Sequence, residues 1–248
     1  MQQEARGRWV YIPHPEEVPV TFQIGMVGND GVLLASDRLY TQIGPGASRR
    51  TWHSDKIFIR DDKNIAYCSA GDDVAARAAQ LYYESIKISV DQLDLPAWQA
   101  LHLSSGNALR EDEGTAQIEN RSCGSLLVAD LRSQAIELWY SEVKRPPVSA
   151  YKITEHYVCV GDSQNSAGFF LERYFPKDHK LPLTKLTTLA AHAVLMAGAT
   201  NPTGVAGLEI VLCSHKKFTR LSQDEISSLM KRSHKLDSKL AALLGLRN

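Results

Sequence analysis

Residues 21–37 read TFQIGMVGNDGVLLASD, and the fold turns on how this stretch is parsed. The tripeptide Asn29-Asp30-Gly31 separates two apolar-rich segments, and residues of these types supply the positive φ angles that a tight hairpin turn needs. The pattern predicts strands over residues 21–28 and 31–37. Antiparallel pairing then brings Thr21, which heads the first strand, and Asp37, which closes the second, to the same end of a sheet. Lys56 opens a third apolar run, KIFI, after a polar and Gly-containing loop. A hydroxyl, a carboxylate and an ammonium thus converge in this reading. Each residue alone also suits a structural role, since Thr favours strands, Asp terminates them and Lys flanks them in solvent.

Working outward, strands at 56–60 and 64–70 around the turn Asp61-Asp62-Lys63 predict a second hairpin beside the first. Asp72 or Asp73 caps a helix in which Val74, Ala75, Ala78, Tyr82 and Ile86 recur at helical spacing. Pro96 suits the first turn of another helix, over 96–109. From Ser122 the strand pattern returns, with CGSLLVADL and AIELWYSE joined at Arg132-Ser133-Gln134, followed by short strands at 148–153 and 156–160. Helices are expected over 165–175 and 184–198, the second with a stripe of Leu186, Leu189, Ala190, Ala193, Val194 and Ala197. A strand at 208–214 pairs with FTRLS across Lys216-Lys217, and Ser222 with Glu225 forms a capping box for a terminal helix to residue 244. Hairpins separated by helical pairs indicate an antiparallel α+β protein.

At 248 residues and 44% hydrophobic, the chain can bury the core of one compact domain. Its 28 basic residues balance its 28 acidic ones, so no net field attracts nucleic acid or an anionic membrane. Cys68, Cys123, Cys159 and Cys213 form no C-x-x-C pair and read as buried thiols in a reducing compartment. The eight histidines are dispersed, with no pair at metal-ligand spacing beside a carboxylate or thiol, so no metal site is expected. His192, among alanines, reads as a packing residue. No apolar run reaches membrane-spanning length, and residues 1–20 lack a secretory h-region, which predicts a cytoplasmic protein. Those twenty residues, with three prolines and no clear period, read as an irregular N-terminal arm or propeptide, and residues 21–248 as the domain.

The order Thr21-x3-Gly25, Asp30-Gly31, Ala35-Ser36-Asp37, Lys56-Ile57 and Ser69-Ala70-Gly71 followed by two aspartates resembles the proteasome family of N-terminal nucleophile hydrolases, the family of proteasome subunits and bacterial HslV. The resemblance is sharpest over residues 21–76 and continues more loosely to 220. It implies a four-layer αββα sandwich, two antiparallel sheets between helical layers. It also implies a threonine-type peptidase in which Thr21, once freed at a new chain start, attacks a peptide carbonyl while its own α-amine accepts the proton. An α-amine has an ordinary pKa near ~8 and can serve as a base; an amide nitrogen cannot. Lys56 matches the lysine that favours the alkoxide, Asp37 the carboxylate that balances it, and Gly71 the glycine whose N–H faces the oxyanion.

The chain departs from the family at three places. Val20 stands where a glycine often precedes the cleaved bond. The family's Gly-Ser-Gly segment is Gly161-Asp162-Ser163 here, leaving Asp162, Ser163 or neither to support the amine. An Asp and a Ser before the late glycine align near Thr200 and Thr203; Thr203 can replace the hydroxyl, but Thr200 cannot replace the charge. Ser54, Ser69 and Asp73 fall where a specificity pocket is lined. The resemblance implies no cofactor, an unfolded polypeptide substrate, a homo-oligomeric ring or double ring, and admits an ATPase unfoldase as partner. The other readings are an unprocessed, non-catalytic subunit of the same fold, and an amidase or acyl-transfer enzyme using the same nucleophile.

Overall fold

The computed structural model describes residues 21–43, 49–70, 125–132, 134–142, 149–154, 156–161, 166–176, 178–215 and 217–243. The opening hairpin is present as β1 (Phe22–Val27) and β2 (Val32–Ser36), in the register Gln23↔Ser36 through Val27↔Val32. Its turn differs from expectation. Among the described residues outside glycine, only Asn64 and His215 have positive φ, so neither Asn29 nor Asp30 does. The connection is closed by the Gly28 N–H donating to the Gly31 carbonyl at 2.7 Å, and the Asn29 N–H donates to the carbonyl of Leu181. A local bond thus closes the turn, and a tertiary one from Asn29 to Leu181 fixes its conformation.

The segment read as a polar loop contains a two-stranded ribbon, β3 (Leu39–Ile43) with β4 (Arg49–His53). Tyr40 and Trp52 face each other across it, their rings stacked at 5.5 Å; a cross-strand aromatic pair of this kind supports a ribbon whose sequence is otherwise polar. The second hairpin, β5 (Phe58–Arg60) and β6 (Ile65–Ala70), turns through Asp61–Lys63 with Asn64 in the left-handed region. It lies not beside the first hairpin but in another sheet, with β7 (Ser125–Asp130), β8 (Glu137–Glu142) and β9 (Ser149–Ile153), in the order β5-β6-β7-β8-β9. The first hairpin belongs to the sheet β10-β1-β2-β11-β12, completed by β10 (Tyr157–Gly161), β11 (Glu209–Ser214) and β12 (Lys217–Arg220). All pairings in both sheets are antiparallel. The successive strands β9 and β10 therefore part company, one at an edge of each sheet.

Three helices are described: α1 (Ser166–Tyr174), α2 (Leu183–Thr200) and α3 (Gln223–Leu243). Alternation in β1 and β2 builds two separate cores. Phe22, Ile24, Met26, Leu33 and Ala35 face the helices, where they meet Leu186, Ala190, Ala193, Val194 and Ala197 of α2. Val27, Val32 and Leu34 face the other sheet, meeting Ala66, Cys68, Leu127, Ala129 and Leu138. Gly25 permits that approach, since a Cβ there would stand 2.9 Å from the Leu138 methyls. The capping box at α3 is as expected, with Ser222 N–H and hydroxyl both donating to Glu225 Oε2 at 2.7 Å. α2 is capped from afar: Asp30 Oδ1 accepts from the Leu183 N–H at 2.8 Å, which Pro182 cannot do. The helices expected from 72 and over 96–109 lie outside the described residues.

Candidate active site

Register decides what meets at the end of the first sheet. The Asp37 N–H donates to the Phe22 carbonyl at 3.1 Å, and Asp37 Oδ1 accepts from the Phe22 N–H at 2.9 Å. Asp37 Oδ2 accepts from the Leu39 N–H at 2.9 Å. The residue that closes β2 is thereby locked against the strand that Thr21 precedes. Lys56 reaches this point from the connection between β4 and β5. Its Nζ donates to Asp37 Oδ2 at 2.8 Å and to Thr21 Oγ1 at 3.0 Å, and lies 5.1 Å from the centroid of the Tyr40 ring. The ammonium bridges the hydroxyl and the carboxylate.

Asp37 is fully buried and Lys56 is 4% exposed, while Thr21 is half-buried. Burial pushes the Asp37 carboxyl above its ordinary value of 3.8, against the opposing pull of the Lys56 ammonium and of the Phe22 and Leu39 N–H groups. Two charges removed from water need each other; taking away one partner of such a pair costs about 3–5 kcal/mol. The ammonium donates to the Thr21 oxygen, so it can stabilise an alkoxide there but cannot at the same time receive the hydroxyl proton. A separate base is required. Gly161, paired with Phe22, has φ 84°, and a Cβ on it would fall on the Thr21 carbonyl oxygen. Only glycine fits this approach.

The other residues singled out in the sequence are distributed as follows. Gly71, Asp73, Asp162 and Ser163 lie outside the described residues. Thr203 is exposed, its hydroxyl donating to Asn201 Oδ1 at 3.3 Å, and the Thr200 hydroxyl turns back to the Met196 and Ala197 carbonyls. Ser54 is exposed, and its N–H donates to the Arg38 carbonyl. The Ser69 carbonyl accepts from Gln23 Nε2 at 3.0 Å, tying β1 to the end of β6 that leads to Gly71. Burial pushes the thiols of Cys68 and Cys213 up, and that of Cys159 to about 12, so none of these three is a thiolate nucleophile at neutral pH. His192 packs edge-on against Phe170, with Nδ1 2.6 Å from Ser233 Oγ. Among the described residues no group of His, Cys, Asp and Glu is placed to hold a metal ion, and no helix is long and apolar enough to cross a membrane.

Sequence reasoning passed over Gln23 and Glu209, both buried. Polar residues in strands read as solvent-facing, and the available signal was their phase: Gln23 shares the inward face with Val27, and Glu209 with Val211 and Cys213.

No family model matches the chain, and no curated protein matches it in sequence. Solved structures do match. Anbu (ancestral beta-subunit) from Yersinia bercovieri superposes with a TM-score of 0.66 at 15% identity, covering 92% of this chain and 98% of that one. The helical assembly of the Anbu complex from Pseudomonas aeruginosa gives 0.69 at 16% identity with the same coverage. Anbu from Hyphomicrobium sp. strain MC1 gives 0.63 at 14%. At these identities the likeness establishes the fold. It also corrects the sequence-based resemblance: these structures are Anbu, a branch different from the proteasome beta-subunits and HslV that the motifs resemble. The motifs around Thr21, Asp37 and Lys56 are short, and short motifs do not separate branches that share them.

Proposed function

We propose that the chain is an N-terminal nucleophile hydrolase of threonine type, active on unfolded polypeptide once the bond between Val20 and Thr21 is cut. The observation that carries the proposal is the Lys56 ammonium, 3.0 Å from Thr21 Oγ1 and 2.8 Å from the buried Asp37 carboxylate. Thr21 Oγ attacks the substrate carbonyl and gives its proton to the freed α-amine, which passes it to the leaving amine. An ester to Thr21 remains, and water hydrolyses it. Lys56 stabilises the oxygen anion on Thr21, Asp37 balances Lys56 and holds it in place, and the Gly71 N–H donates to the anionic substrate oxygen. Asp162, Ser163 and Thr203 are the candidates to hold the amine.

Residues 1–20 are, in this reading, the segment removed, and 21–248 a single domain. A fourth, helical layer completes the sandwich. It is supported by the outward face of the second sheet, where Ile65, Tyr67, Leu126 and Val128 are at most 1% exposed, as a covered face requires. A homo-oligomer is proposed from the Pseudomonas aeruginosa neighbour, itself a helical assembly. Whether copies of this chain close into rings or wind into a helix is read directly by electron microscopy, and an ATPase unfoldase is the partner class that would supply unfolded chains.

Intact mass of the purified protein, followed by reaction with a peptide epoxyketone, tests the reading. The expected species begins at Thr21, takes one label, and cleaves an unfolded polypeptide that Thr21→Ala leaves intact. Full-length, unlabelled chain would instead assign the protein to a non-catalytic, assembly-forming role. Labelling with turnover of small amides only would make it an amidase.

A further inference from the structure

Lys56 is a long side chain, and what holds its main chain decides where its ammonium can reach. Across the first sheet, Gln23 pairs with Ser36 and Ser36 with Glu209, so three buried polar residues form one row just below the site. Glu209 shares the inward phase of Val211 and Cys213, which belong to the inter-sheet core. An acid in that position is costly unless it is paired and hydrogen-bonded. Its Oε2 accepts from the Lys56 N–H at 2.7 Å and from the Ile57 N–H at 3.2 Å. Its Oε1 is ion-paired with Arg220.

Arg220 completes the hold. It donates to the Ile57 carbonyl at 2.7 Å and pairs with Asp55 Oδ2 at 3.2 Å, while Asp55 Oδ1 pairs with Arg38 at 2.9 Å. Residues 55, 56 and 57 are therefore each gripped, and the far end of the chain of charges is the residue following Asp37. We infer that Glu209, braced by Arg220, is the positioning residue for Lys56: it fixes the main chain so that the ammonium bridges Thr21 and Asp37. This rests on the hydrolase reading above for its functional consequence, but not for its geometry. Glu209 touches no reacting atom and acts through Lys56.

Two variants separate positioning from stability. Glu209→Gln keeps an acceptor oxygen and removes the charge; Glu209→Leu removes the acceptor. The readout is the maximal rate of Thr21 labelling by a peptide epoxyketone per intact site, together with the concentration for half-maximal rate. Because a misplacement of about 1 Å can cost about 10²-fold, Leu is expected to slow labelling by about that factor and Gln by about tenfold, with half-saturation unchanged. A purely structural acid would lower yield and Tm but leave the rate per intact site as in the parent. If Glu209 only balances Arg220, the double variant E209Q/R220Q recovers the parental rate, which overturns the inference; a rate still depressed supports it. Should Glu209→Leu fail to fold, Glu209→Gln alone decides, and a rate within twofold of the parent overturns it. An unlabelled parent chain would mean that the hydrolase reading has failed. The crystal structure of Glu209→Gln then decides: Lys56 Nζ out of reach of Thr21 Oγ1 supports the inference, and an unmoved Nζ overturns it.

Discussion

On one side of β1 and β2, Phe22, Ile24, Met26, Leu33 and Ala35 meet the small-residue stripe of α2; on the other, Gln23 and Ser36 lead to Asp37, Lys56 and Glu209. Both sides are equally dry. The helix side is held by apolar burial, which is non-directional and tolerates shape-conserving exchange. At the site end of the other side, each group depends on a named partner at hydrogen-bond distance, so loss of one strands the next. The same two strands thus carry a forgiving face and an exacting one, and the exacting one is where chemistry is proposed.

The largest expected effect breaks the exacting face. Lys56→Met should reduce turnover by about 10²–10³-fold or more, as loss of a transition-state donor does. It should also cost about 3–5 kcal/mol of stability near neutral pH by leaving Asp37 unpaired. Urea titration should show that cost shrinking in acid, where Asp37 takes up a proton. On the forgiving face, Leu186→Ala opens a cavity against β1 and β2 and should cost about 2–5 kcal/mol. The rate per folded molecule and its pH profile should stay as in the parent. If Leu186→Ala moved the profile instead, the two faces would not be independent.

The smallest effects sharpen the contrast through pH. Asp37 has a raised pKa, so its contribution to stability is complete below its ordinary 3.8 and is lost as pH rises through the raised value. In the proposed hydrolase its carboxylate balances Lys56, so the acid limb of the rate should lie above the ordinary carboxylate range. His192, on the helix side between α2 and α3, is lowered by burial, with Asp237 pulling the other way. Its contribution is complete above the ordinary 6.5 and is lost as pH falls. Stability measured across this range should fall on acidification in the parent and less so in His192→Gln, with no change in the acid limb of the rate.

The sequence by itself determined the strands of the first hairpin, the small-residue face of α2, the capping box at Ser222 and Glu225, and the candidacy of Thr21, Asp37 and Lys56. All of these are written in local periodicity, or in short motifs whose residues lie close along the chain. Tertiary structure alone decided that the two hairpins stack face to face rather than side by side. It also parted β9 from β10, set Asp30 to cap a helix 153 residues away, and brought Glu209 to the Lys56 main chain from 153 residues off. A side chain's type states what it can bond, but its partner is chosen by register and by the face on which a strand's two-residue alternation happens to leave it.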